Sequence, residues 1–325
     1  MKRVIVSHVK PKTREHPKSM PKINPLDYPV TLNYPLRLAQ TSWAEHIPFA
    51  MFLVDVLRPE IIVELGTLRG VSYCAFCQAV KELELPTRCF AVDNWRGDEL
   101  SGFYDAQGAE ILSELKEHHD PLYQDFSQLI QSSFDDALSG FENGTIDLLH
   151  IDGCHSYEAV KHDFERWLPK MSARGVVLLH DTHVRERGFG VWKLWEELKT
   201  VYPHFDFTHE HGLGVVATGA QVSDPLRAML EASEEEAATL REFFYQLGQR
   251  LTVRMERGCA SEALATSERA LEAVSEELAS TREQLQNILN SRAWRWVSRY
   301  GRAKARLLKP ASRLAQNLRR AKDAD

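Results

Sequence analysis

A chain of 325 residues can hold one large domain or two moderate ones, and its apolar and charged shares of 43% and 26% are those of a soluble protein with a sizeable core. No run approaches the roughly 18 consecutive apolar residues of a membrane span, so no membrane-spanning helix is expected. Five scattered cysteines (Cys74, Cys77, Cys89, Cys154, Cys259) argue against a disulfide framework and for a reducing compartment, and no signal peptide opens the chain, so the cytoplasm is the expected location. The formal charge of −6 hides an asymmetry: from Arg292 onward eleven Lys or Arg face only Asp323 and Asp325. The remainder is therefore acidic, and a globular body with a separate basic tail is expected.

The first 35 residues, rich in Pro and Lys, read as an extended arm. From Leu36 to Leu57 the pattern is helical, with Trp43, Ile47, Met51, Val54 and Val56 available for burial. "EIIVELG" (60–66) then reads as a strand, "VSYCAFCQAVKEL" (71–83) as a helix and "RCFAVDNW" (88–95) as a second strand. The pair Cys74 and Cys77 lies inside that helix with no second pair, so no zinc site is expected. Further strands are read at 127–133, 146–153, 175–182, 205–211 and 213–219, with helices at 156–168 and 189–200. Short apolar strands separated by helices indicate a parallel sheet covered on both faces. The last two strands, joined by "HGLG", read as an antiparallel edge hairpin. The expected fold is therefore α/β: a Rossmann-like, doubly wound, mostly parallel seven-stranded sheet with that hairpin at its edge, followed by a helical C-terminal extension.

Beyond residue 222 the strands stop. Leu264, Leu271, Leu278 and Leu285 recur every seventh residue, with Val274, Thr281 and Ile288 three places after the leucines that precede them. This is either a short coiled coil joining copies of the chain or one amphipathic helix packed on the body. Four segments follow: an arm over 1–35, a catalytic domain over 36–222, a helical and coiled-coil stretch over 223–290 and a basic amphipathic tail over 291–325.

Ligands of open parallel sheets bind beyond the carboxyl ends of the strands. At the end of the first strand, "VELGTLRGVS" offers Gly66 for a tight turn, Gly70 for close backbone approach and Glu64 as an acid for a cationic or hydroxylated ligand. Asp93, at the end of the second strand, is placed for the ribose hydroxyls of an adenosine. A dinucleotide would prefer a glycine where Leu68 stands, whereas the nearby acid suits a positively charged cofactor without phosphates, S-adenosylmethionine. Binding of NAD would mark an oxidoreductase instead.

The run "HIDGCHSYEAVKHDFERWLPKMSARGVVLLHDTH" (150–183) carries the second constellation. Asp152 and Asp181 end two strands on one edge of the sheet, where they would repel unless protonated or joined by a cation. Oxygen ligands favour Mg²⁺ or another hard divalent ion, with His180, Thr182 or His183 supplying a further ligand or a supporting contact. His155, three residues after Asp152, is placed to take a proton from an attacking hydroxyl. The bland alternative is a turn at Asp152-Gly153 with His155 capping the next helix.

The first motif resembles that of class I S-adenosylmethionine-dependent methyltransferases, an acid followed by x-G-x-x-x-G. That resemblance implies Glu64, Gly66 and Gly70 around the cofactor, Asp93 on the ribose, and Ser132, Ser133 and Trp95 near the adenine. The 150–183 run is similar to the metal-dependent bacterial O-methyltransferases that act on sugars of antibiotics and surface glycans. This implies Asp152, Asp181 and His180 as metal ligands, with His155 and Asp152 at the catalytic centre and a sugar or glycan as acceptor. The resemblance covers residues 36 to 220. Arg174 replaces the first glycine of the usual Gly-Gly pair, a change expected to affect only a turn.

In "NSRAWRWVSRYGRAKARLLKP" (290–310), Trp294, Trp296 and Tyr300 alternate with arginines. That pattern suits the interface of an anionic membrane or a protein partner, and the same charges without a recognition module do not indicate nucleic acid. Peripheral contact with the inner face of the cell membrane and pairing through the heptads are thus the expected associations. The rival of a different class is a non-catalytic, methyltransferase-like scaffold in a glycan-assembly complex.

Overall fold

The computed structural model describes residues 23–306 except 99, 101 and 104–106. The first 22 residues of the expected arm, and the tail beyond 306, lie outside the described residues. Two compact units are present, Met1–Arg257 and Gly258–Asp325.

The first unit is built on a seven-stranded sheet. Its strands are β1 (Ile61–Leu65), β2 (Arg88–Asp93), β5 (Ser127–Gln131), β6 (Ile146–Ile151), β7 (Met171–His180), β8 (His204–Phe207) and β9 (Leu213–Ala217); β3 (Gly97–Asp98) and β4 (Gly102–Phe103) form a separate small ribbon. The order across the large sheet is β5-β2-β1-β6-β7-β9-β8, with β9 antiparallel to both neighbours and the others parallel. The expected edge hairpin is therefore present, and strand order reverses between β1 and β6, where a ligand crevice opens.

The helices are α1 (Ile47–Leu57), α2 (Val71–Glu82), α3 (Gln107–Tyr123), α4 (Phe134–Ala137), α5 (Tyr157–Trp167), α6 (Val191–Leu198), α7 (Asp224–Leu230) and α8 (Glu234–Asn290). Side chains two apart on a strand share a face. Ile62, Leu148 and Leu178 accordingly pack against α1 and α2, while Val63, Leu149 and Val177 face α5 and α6. Helix α1 is apolar all round because it is covered on every side; ten of its eleven residues are buried. Helix α3 is not singled out by the sequence reading. It buries Ile111, Leu112 and Leu115 but carries Pro121 and a dense polar complement that dilute its pattern.

Two boundaries move. The arm is packed from residue 23 on: Ile23 is buried, as are Val30 and Thr31 in the short 3₁₀ turn Pro29–Leu32. The body also extends past 222, since Leu226, Met229, Leu240, Phe244 and Leu251 join the core cluster of α1. Arg174 sits within strand β7, not a turn, and its guanidinium lies 2.6 Å from Asp147, which is buried. Cys74 and Cys77 are buried in α2, where desolvation pushes both thiols well above their usual range and keeps them inert.

In the second unit the heptad residues Leu264, Leu271, Val274, Leu278, Leu285 and Ile288 are exposed. A further helical run over 292–306 is capped by Ser291, whose hydroxyl accepts from the Trp294 amide at 3.1 Å. Among the described residues no helix is long and apolar enough to cross a membrane.

Candidate active site at the strand ends

The turn after β1 is fixed by steric demands and by one carboxylate. Gly66 has φ +89°, and a Cβ there would stand 2.2 Å from the backbone oxygen of Asp152. Only glycine lets the turn after β1 pass so close to the turn after β6. Asp93 then ties the loop down. One of its oxygens accepts from the amides of Thr67 (2.9 Å) and Leu68 (2.8 Å), and the other from the amide of Trp95 (2.7 Å). Burial raises the Asp93 carboxyl above its ordinary range despite these donors. The Trp95 indole donates to the Leu68 carbonyl at 2.9 Å. Leu68 and Trp95 both hold positive φ, a strain that this bonding over-determines.

The turns after β6 and β7 bring acids and imidazoles together. His155 Nε2 lies 3.0 Å from Asp181 Oδ2, and His211 Nδ1 is 2.9 Å from Asp181 Oδ1. His180 Nδ1 sits 3.1 Å from Asp152 Oδ1 and 3.4 Å from Asp181 Oδ2. Burial disfavours a charged His180, yet Asp152 and Asp181 lift it well above the usual imidazole range. Burial would likewise raise Asp181, but His180, His155 and His211 hold it well below the carboxylate range. Each acid of the pair thus has an imidazole nitrogen within 3.1 Å. The Phe189 ring stacks on His155 at 4.4 Å, and the His155 carbonyl accepts from the Gly190 amide, so the imidazole is held in place.

Donor atoms of Asp152, His155 and Asp181 all lie within 4.8 Å of one another. Two carboxylate oxygens and an imidazole nitrogen at that spacing fit one divalent cation. His155 completes this trio, and His180, expected as a ligand, contacts both of its acids. Its Nδ1 is engaged by the acids and its Nε2 lies 3.3 Å from the Glu210 carbonyl, so it serves as their buried partner.

These groups line a cavity of about 640 Å³ beyond the strand ends, walled by Gly66, Gly70, Asp93, Trp95, Ser133, Asp152, His155 and Asp181 among others. Two expected contacts are not in its wall. Glu64 shares the face of Ile62, so its carboxylate points toward α1 and α2 and meets His150 Nδ1 at 2.8 Å, both side chains fully buried. Ser132 donates its amide to the Asp93 carbonyl and lies behind the wall. Ser133 is in the wall, but its hydroxyl caps α4, accepting from the Asp136 amide at 3.2 Å. Trp43, Phe134, Asp163 and His211 also line the cavity and escape the sequence reading. His211 falls in a stretch read as strand, whereas β8 ends at Phe207 and Glu210, His211 and Gly212 all take positive φ.

Known proteins can be set beside this geometry. The family model described as "Methyltransferase domain" matches residues 63–182. That match runs from β1 to the end of β7 and contains the glycine turn, Asp93, Asp152, His155 and Asp181. An uncharacterised protein of Sinorhizobium fredii, y4gI, is 50% identical over 186 residues, 57% of this chain; the chain spans only 20% of that relative. Among solved structures, the O-methyltransferase TomG of Streptomyces achromogenes, bound to SAM, shares 14% identity with a TM-score of 0.42, over 56% of this chain and 82% of that one. A methyltransferase of Geobacter sulfurreducens shares 15% identity with a TM-score of 0.40, over 62% and 91%.

Proposed function

We propose that this chain is an S-adenosylmethionine-dependent O-methyltransferase that methylates a hydroxyl of a sugar in a bacterial surface polysaccharide or glycoside. The observation that carries this reading is the Asp181-oriented imidazole of His155 in the same cavity as the Asp93-bound glycine turn. The match of residues 63–182 supports the methyl-transfer class; the likeness of the 150–183 run to sugar O-methyltransferases supports the acceptor.

Bound here, S-adenosylmethionine supplies a methyl group on a sulfonium, and a divalent cation supplies a Lewis acid for the acceptor hydroxyls. The backbone of the Gly66–Gly70 turn would hold the amino-acid end of the donor, and Asp93 closes the turn. His155 accepts the proton that leaves the attacking hydroxyl as the new C–O bond replaces the C–S bond. Asp181 fixes the tautomer of that imidazole and stabilises its charged form, as a carboxylate does for a catalytic base. Asp152 and Asp181, with His155, would hold the cation. His155 then has two uses, base or ligand, and chelation separates them.

The test is methyl transfer from labelled donor to glycoside acceptors. Purified protein should bind S-adenosylmethionine and form a methyl ether. His155→Gln should lower kcat by two orders of magnitude or so, the usual worth of a general base, with donor affinity kept. A chain that binds no S-adenosylmethionine would favour the scaffold reading. Full activity after exhaustive chelation would leave His155 as base in a metal-free enzyme.

A further inference from the structure

Asp163 stands on α5 in the wall of the cavity, 7% exposed. It faces the cavity from the same row of the helix as Ala159, and among the described residues no donor hydrogen-bonds its carboxyl. Charged neighbours are present but already occupied: His162 bonds Asp135 at 3.0 Å, on the exposed side. Burial pushes the Asp163 carboxyl up to about 7. Buried polar groups in native proteins nearly always have partners, because one left without costs its desolvation in full. A wall carboxyl with no protein donor is therefore a place for a ligand N–H or O–H.

Sheet order says which part of the ligand reaches it. The reacting cluster follows β6 and β7, on one side of the strand reversal. Phe134 and Asp135 follow β5, on the other, and the Asp135–His162 bond ties that segment to the Asp163 stretch of α5. Asp93 lies between, at the end of β2. A nucleoside whose ribose lies near Asp93 and whose sulfur points toward His155 directs its base to Phe134 and Asp163. Of the other polar groups there, Ser133 has its hydroxyl committed to Asp136, and Asp135 is bound to His162.

Resting on the proposed use of S-adenosylmethionine, we propose that Asp163 accepts the exocyclic amino group of the adenine and selects that base. Phe134 and Ala159 supply the apolar surface for the ring.

Calorimetry with S-adenosylhomocysteine and its 6-deamino analogue, in which hydrogen replaces the amino group, tests this on the full chain. Wild type should bind the adenine form about tenfold more tightly, the worth of one hydrogen bond to a carboxyl group. Asp163→Leu, close in volume, should lose about that factor on the adenine form and bind both ligands equally. Asp163→Asn retains an acceptor and should keep most of the preference. A wild type that binds both forms equally, or a leucine variant that still discriminates, overturns the inference while methyl transfer stands. Binding of neither ligand by wild type overturns the inference together with the function it rests on.

Discussion

Asp93 shows how one residue serves two levels at once. The sequence places it at a strand end, which suggests a ribose contact, but its oxygens also hold the amides of Thr67, Leu68 and Trp95. Asp93→Ala should therefore weaken S-adenosylmethionine binding by about 1–2 kcal/mol and also lower the melting temperature, because the positive-φ turn at Leu68 loses its anchor. A variant with weaker binding and unchanged stability would confine Asp93 to the ligand. Asp163 makes the complementary case. Its folded pKa, about 7, lies above the unfolded carboxyl value, so between roughly pH 4 and 7 the folded state holds a proton that the unfolded state has lost. Stability falls as pH rises through that window, and Asp163→Leu removes the loss. The leucine variant should gain melting temperature over wild type at pH 8 and little at pH 4.5. Equal gains at both pH values would show that packing, not ionisation, sets the difference. His155, Asp152 and Asp181 stand out in the sequence because each ends or follows an apolar strand. For Glu64 the face of the strand decides the partner: two residues from Ile62, it points into the α1–α2 core and not toward the strand end.

At the scale of elements, strands were legible wherever β-branched runs met glycine turns, and the alternation of the two core clusters explains why these runs are apolar throughout. Helix α3 was not, since its buried stripe is narrow. The heptads of α8 make an element-level proposal. Leu271 and Leu278 are 71% and 57% exposed, an apolar seam with no cover among the described residues of its own chain. With the leucines at the first core position, Glu277 and Arg282 occupy the flanking positions that face each other across a parallel, in-register pair. A second copy of this chain is thus the occupant whose charges match. Sedimentation should show a dimer or higher oligomer, and Leu271→Lys with Leu278→Lys should reduce it to monomer without loss of S-adenosylmethionine binding. Monomeric wild type at tens of micromolar would refute the pairing.

For the whole molecule, the body that holds the site closes at Arg257 and not at residue 222. Truncation after Thr218 would remove Leu226, Leu240, Phe244 and Leu251 from the core and should yield insoluble protein; truncation after Arg257 should leave cofactor binding intact. The exposed Trp294, Trp296 and Tyr300 among the tail arginines are proposed to meet an anionic membrane surface. Full-length protein should bind vesicles containing phosphatidylglycerol at low salt, release them at high salt, and lose this on truncation after Arg257. Indifference to such vesicles at low salt would turn the tail toward a protein partner. The sequence by itself determined the strand–helix alternation, the glycine turn, and the acids and histidine at the strand ends, because these depend on short-range patterns of size, polarity and backbone freedom. Only the tertiary structure decided that His155 and His211 reach Asp181 while His180 is buried against both acids, that Glu64 turns inward, that Asp163 faces the cavity, and that α7 and the start of α8 complete the core. Each of those outcomes depends on which face of an element meets which neighbour, and residues far apart in the chain settle that only when the sheet is assembled.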